Sequence, residues 1–234
     1  MLETLKKQVC DANLKLVDEG LVVQTFGNVS GIDRDAGLVV IKPSGVSYDQ
    51  MRPRQMVVVS LEDGSVVEGE LRPSSDTPTH LELYRAFDGI GGVVHTHSAF
   101  ATAWAQARKA IDPFGTTHAD YFYGPVPCTR AMTAEEIDYK YEANTGKVIV
   151  EHFTIEKLDP KHFPGVLVAS HGPFAWGDTP DAAVDCAVIL EYIARLAAKM
   201  VQINPYPGRI SDELLNRHFL RKHGTERYYG QDNR

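Results

Sequence analysis

The chain has 234 residues, 43% of them hydrophobic and 24% charged, which is too apolar for intrinsic disorder and fits one sizeable core. An excess of 31 Asp+Glu over 24 Lys+Arg gives a formal net charge of −7 and argues against a general polyanion binder such as a nucleic-acid protein, while leaving room for small anions in a local pocket. No run approaches the ~18 apolar residues of a membrane span. Met1–Lys7 has no apolar stretch behind it, and Cys10, Cys128 and Cys186 are odd in number and widely spaced. The expectation is a reduced cytoplasmic protein with no leader and no membrane partner.

The first helix is carried by Leu2, Leu5, Val9, Ala12 and Leu16, spaced by three and four and closed by Gly20. From Leu21 the pattern turns to short β-branched runs: LVVQTFGNVS, LVVIKPSG after the turn Asp33 to Gly37, MVVVSL and VVEGEL, the last two as a hairpin about Asp63–Gly64. A helix is predicted from Thr77 to Phe87, with Ser75 or Asp76 as N-cap. GGVVHTHSAF reads as a strand through His97, followed by a helix capped by Ser98. Thr133 and Glu136 form a capping box for a helix toward Asn144, and KVIVEHF is read as helix. GVLVASHGPFAWG reads as one strand entering a glycine turn, Thr179–Pro180 opens a helix to Ile203, and a last helix spans Ser211 to His223. No repeat or linker interrupts this. The expectation is one α/β domain over residues 1–234, with a mixed, largely antiparallel sheet between helices.

Nine histidines are many for such a chain. On a strand, His95 and His97 project from one face with Cα atoms about 6.5–7 Å apart, so their imidazoles can converge on one ion; alternatively they hydrogen-bond within the sheet surface. VLVAS ends similarly in His171–Gly172, and three imidazoles with an open position are a recurrent catalytic zinc arrangement. Asp76 is the candidate carboxylate ligand, with helix capping as its other reading, and His80 one turn later could compete. His118, His152, His162, His218 and His223 are scattered and read as surface or hydrogen-bonding residues.

Three glycine or serine turns, Gly27–Asn28, Lys42 to Ser44–Gly45, and Ser74–Ser75, offer amides, hydroxyls and a lysine suited to a phosphate monoester. Each alone is an ordinary turn; beside a metal site they suggest a phosphorylated substrate. For proton transfer the chain offers Asp120 among aromatic residues and the pair Tyr228–Tyr229. On residue chemistry alone the tyrosines read better as packing groups.

GNVS, KPSG, SSDTPTHLELY, VVHTHS, GTTHADYFYG, SHGPFAWG and the YYG tail together resemble the class II aldolase and epimerase family, and they run from Gly27 to Tyr229. The resemblance implies a three-layer α/β/α fold, a cyclic homotetramer with active sites between subunits, and a divalent metal, usually zinc, with ions such as Mn2+ as substitutes. It implies Asp76, His95, His97 and His171 as ligands. Gly27, Asn28, Lys42, Ser44, Gly45, Ser74 and Ser75 would contact substrate and phosphate, and Asp120 and Tyr229 would form an acid–base pair. Thr116, Glu142, His218 and Tyr228 are weaker candidates. Aspartate at position 76, where related aldolases carry glutamate, points to the epimerase branch and to a pentulose phosphate substrate, L-ribulose 5-phosphate exchanging with D-xylulose 5-phosphate. An aldolase or dehydratase of a related sugar phosphate is the nearest alternative, and a metal-free binding module a more distant one.

Overall fold

The stripe of Leu5, Val9, Ala12 and Leu16 folds as α1 (Glu3–Asp18) in a computed structural model that describes residues 2–224. The strand expected from Leu21 starts later. Val23 and Phe26 are exposed, the Phe26 amide turns back to the Val23 carbonyl, and β1 spans only Asn28–Asp33. Gly27 enters it at φ +83°, where an added Cβ would come 3.0 Å from the His95 carbonyl oxygen, so the close approach of these two segments requires glycine.

β2 (Leu38–Ile41), β3 (Val57–Ser60) and β4 (Val66–Glu68) follow as expected. Next come α2 (Thr77–Ala86), β5 (Gly92–His95) and α3 (Ala99–Gln106), then a short α4 (Thr116–Ala119) with no periodic signal. The helix expected between Thr133 and Asn144 is two: α5 (Ala134–Asp138) and α6 (Tyr141–Ile155), broken at Lys140 with φ +52°. The Asn144 amide donates to the Glu136 and Tyr139 carbonyls, satisfying the end of α5 and making the break affordable. KVIVEHF lies inside α6.

GVLVASHGPFAWG holds two strands rather than one, β6 (Gly165–Leu167) and β7 (Pro173–Gly177), and His171 stands on the turn between them. Ser170 takes φ +64° there, and the Val168 amide closes the turn on the Gly172 carbonyl at 2.9 Å. α7 (Pro180–Ile203) and α8 (Asp212–His223) start at the Thr179 and Ser211 caps, whose hydroxyls accept amide hydrogens.

The seven strands form one sheet in the order β4-β3-β2-β1-β5-β7-β6. The sheet expected to be mixed and largely antiparallel is antiparallel at every strand pairing described, with one isolated parallel bridge, Cys128–Leu167. Both faces are covered, which explains the continuous valine runs. Val39, Val57, Val59, Val93, Phe174 and Trp176 pack under α2 and α6, while Val29, Val40, Val58, Val94 and Ala175 alternate onto α1 and the first half of α7. This is the three-layer α/β/α arrangement. Central β1, β5 and β7 place Asn28 beside His95 and His95 beside Phe174, so the sheet's middle delivers the histidine region.

Candidate metal and substrate site

β5 ends at His95, so His97 lies beyond the strand and the shared-face reasoning does not hold. The rings nevertheless converge: His95 Nε2 and His97 Nε2 are 3.1 Å apart, and the ring centroids of His95, His97 and His171 are 4.7–5.1 Å apart. One ligand atom from each of the three lies within 4.8 Å of the others. His95 Nδ1 is 3.0 Å from the Pro173 carbonyl oxygen, which takes its hydrogen and leaves Nε2 as a lone-pair donor. Phe174 stacks on the same ring at 4.2 Å. Burial holds the His95 imidazole below its usual basicity and pushes His171 down to about 4, so both are neutral, as ligands must be.

Asp76 occupies the N-cap position of α2, but its carboxylate does not cap. It accepts instead from Asn28 Nδ2 at 2.6 Å, while the Thr77 hydroxyl donates to the Ser74 carbonyl. Burial alone would raise the Asp76 carboxyl; His95, His80, the Asn28 amide and His171 outweigh it and hold it below the ordinary carboxylate value. Asp76 lies outside the three-histidine cluster itself but within electrostatic reach of His95 and His171, so its carboxylate would add an oxygen to a donor set suited to a zinc-like divalent ion.

The candidate phosphate turns lie side by side. The Ser44 amide donates to the Arg72 carbonyl and the Ser74 amide to the Lys42 carbonyl, both at 2.9 Å, with Pro43 and Pro73 bridged. Ser44, Gly45 and Ser75 are exposed at this edge, whereas Ser74 and Asn28 are buried. Lys42 is 2% exposed, its ammonium over the Tyr48 ring and 3.4 Å from the Thr25 carbonyl; burial lowers its basicity against the pull of Asp76. The Tyr48 hydroxyl lies 2.9 Å from the Phe26 and Gly27 carbonyls, tying the Gly27 loop to the other two. Sequence reading missed Tyr48 because this bond spans more than twenty residues.

Asp120 is not brought to the histidines among the described residues. Its carboxylate is held by α8: His218 Nδ1 at 3.0 Å, Arg221 at 3.0–3.2 Å and Lys222 at 3.8 Å. Its backbone amide donates to Thr116, and its carbonyl lies 2.9 Å from His223 Nε2. Glu142 contributes its carbonyl to the Thr79 hydroxyl. Tyr228 and Tyr229 lie outside the described residues. His118 is buried on the Gly124 carbonyl, and His162 packs on Tyr123 and Phe219.

Two further residues had no sequence signal. Ser98 does not cap α3 with its side chain; the Glu191 carboxylate, from α7, accepts the Phe100 and Ala101 amides at 2.9 and 2.8 Å. Tyr141 approaches His171 Nδ1 at 3.5 Å.

Residues 7–198 match the family model described as class II aldolase and adducin N-terminal domain. The chain belongs to this family. The class II aldolase family is divalent-metal dependent, and among the described residues His95, His97 and His171 form a cluster that could hold such an ion. It is 57% identical over 230 residues, 98% of this chain and 100% of the relative, to an L-ribulose-5-phosphate 4-epimerase UlaF of Salmonella paratyphi B. Among solved structures, an L-fuculose 1-phosphate aldolase is 26% identical with TM-score 0.77, covering 92% of this chain and 94% of the other. YgbL of Klebsiella pneumoniae, titled a putative aldolase/epimerase/decarboxylase, shares the fold at 23% identity and TM-score 0.72, over 93% and 99% of the two chains. No helix among the described residues is long and apolar enough to cross a membrane.

Proposed function

We propose that this class II aldolase family member is an isomerase that interconverts L-ribulose 5-phosphate and D-xylulose 5-phosphate. The observation that carries the reading is the convergence of His95, His97 and His171, with Asp76 within electrostatic reach of His95 and His171 and the Lys42–Ser44 and Ser74–Ser75 loops paired with each other, in a chain 57% identical to a 4-epimerase.

The C4 hydrogen of the substrate is β to the C2 ketone and not acidic, so inversion requires breaking the C3–C4 bond. A base on one face removes the C4 hydroxyl proton; C4 becomes the aldehyde of glycolaldehyde phosphate, and C3 keeps the bonding pair as the enediolate of dihydroxyacetone. Rotation of the aldehyde and re-addition of C3 to its other face give an alkoxide at C4, which takes a proton from an acid on that side. Asp76, His95, His97 and His171 would hold the divalent ion, zinc or a substitute such as Mn2+, which when bound supplies Lewis-acid stabilisation of negative charge on the ketone oxygen. Ser44, Gly45, Ser74, Ser75 and Lys42 anchor the phosphate, so the aldehyde turns without leaving, and Gly27 and Asn28 border the same space. Asp120 and Tyr229 are the proton-transfer pair.

Asp120 faces α8 rather than the histidines. This supports a site completed by a neighbouring subunit; the enzyme is read as a cytoplasmic homotetramer with one domain of residues 1–234 per subunit. The aldolase reading rests on the 26% identical L-fuculose 1-phosphate aldolase and predicts release of free aldehyde. Turnover in D2O tests the route: bond cleavage leaves C4 without deuterium and makes pentulose 5-phosphate from dihydroxyacetone and glycolaldehyde phosphate. Deuterium at C4 would contradict it.

A further inference from the structure

Asp76, His80 and Tyr84 recur every fourth residue at the start of and along α2. Four helical steps advance about 6 Å and two strand steps about 6.7 Å, so Asp76 and His80 meet alternate residues of β1 and Tyr84 shares the second of them. Asn28 Nδ2 donates to Asp76 at 2.6 Å, and Ser30 Oγ lies 2.7 Å from His80 Nδ1 and 2.9 Å from the Tyr84 hydroxyl. Ser30, His80 and Tyr84 are wholly buried, and His80 Nε2 has no hydrogen-bond partner among the described residues. An apolar trio would pack α2 onto β1 without desolvating three polar groups, so packing does not account for the ladder.

Hydroxyl bookkeeping gives the ladder a direction. Giving the Tyr84 hydrogen to Ser30 strands no hydroxyl hydrogen, whereas the reverse order leaves the buried phenol hydrogen with no acceptor among the described residues. The Ser30 hydrogen then goes to His80 Nδ1, and the imidazole hydrogen is assigned to Nε2. His80 meets Phe174 edge-on at 6.1 Å, and Phe174 stacks on His95. His80 stands one helical turn after Asp76, its amide donating to the Asp76 carbonyl at 3.1 Å, and each side chain favours the other's charged form.

We propose that His80 is a positioning residue for Asp76: the Tyr84–Ser30–His80 ladder fixes Nε2–H as a buried donor beside the carboxylate and orients it toward His95 and His171. The inference rests on the reading of Asp76 as a metal ligand.

Zn2+ affinity of the full-length protein, measured by chelator competition, tests it together with melting of the metal-free protein. His80→Phe, which keeps the volume and removes the donor, should weaken Zn2+ binding by about 10–100-fold, the usual range for an outer-shell partner, with little change in metal-free Tm. His80→Gln, which restores a donor, should recover most of that loss. Unchanged affinity in His80→Phe, or equal losses in both variants, would overturn the proposal. Should His80→Phe melt the metal-free fold, Ser30→Ala decides: weaker Zn2+ binding with the imidazole 15N shifts moved to the other tautomer supports it, and unchanged binding overturns it. Asp76→Ala run alongside separates the two readings. Binding as tight as the unmodified protein defeats the ligand role itself, whereas a loss there with none in His80→Phe defeats only this inference.

Discussion

His95 Nδ1 lies 3.0 Å from the carbonyl oxygen of Pro173 on the neighbouring strand, and that contact leaves Nε2 facing His97 at 3.1 Å. A ring oriented from behind, with Nε2 left as a lone-pair donor, suits the ligand role proposed for it. His95→Ala should lower Zn2+ affinity by more than about 100-fold, beyond the loss of an outer-shell partner, while the metal-free protein keeps its far-ultraviolet circular dichroism. Equal affinity in the variant would show that the trio is not the metal site.

Much of this site could be read in the sequence because its parts are local. His-x-His, the serine turns and Asp76 stand in short motifs, and the alternation of valines marked the strands. The shared-face reason was wrong, since β5 stops at His95 and the loop carries His97 back to it. The hairpin β6–β7 escaped because its five-residue connection, Val168 to Gly172, reads as continuous with an apolar strand. Nor can a sequence show that Glu191 reaches 91 residues back to Phe100, or that Arg221 lies 101 residues from the Asp120 it holds. Those pairings are made by the packing of α7 and α8, which no local pattern encodes.

Burial pushes His171 and His118 down to about 4 and His80 to about 3. An unfolded histidine titrates near pH 6.5, so below that pH the unfolded chain binds protons that the fold refuses. Stability is therefore full above about pH 6.5 and lost as pH falls toward 4, by about 1.4 kcal/mol per pH unit for each such histidine. His118 lies outside the proposed metal site. His118→Gln should flatten the Tm–pH curve of the metal-free protein between pH 6.5 and 5, and parallel curves would contradict this.

Removing one proton-transfer group should slow chemistry without emptying the metal site. Asp120→Asn and Tyr229→Phe are each expected to cut kcat by about 10²–10⁴-fold, with metal content by elemental analysis unchanged. Full activity in both would remove the two-face proton transfer.

Glu191 serves α3 in place of a Ser98 side-chain cap, through two charge-assisted bonds to the Phe100 and Ala101 amides. Glu191→Ala should cost roughly 1.5–3 kcal/mol in denaturant unfolding, and Glu191→Gln less. Because His97 precedes Ser98, Zn2+ binding should weaken alongside. Stability unchanged in the alanine variant would show that the first turn of α3 stands without this carboxylate.

The most direct measurement is product formation from L-ribulose 5-phosphate by the Zn2+-loaded protein against a chelated control. The account predicts D-xylulose 5-phosphate accumulating to equilibrium with no free glycolaldehyde phosphate, and no conversion after chelation. Net release of the aldehyde, or conversion at the same rate without metal, would contradict it.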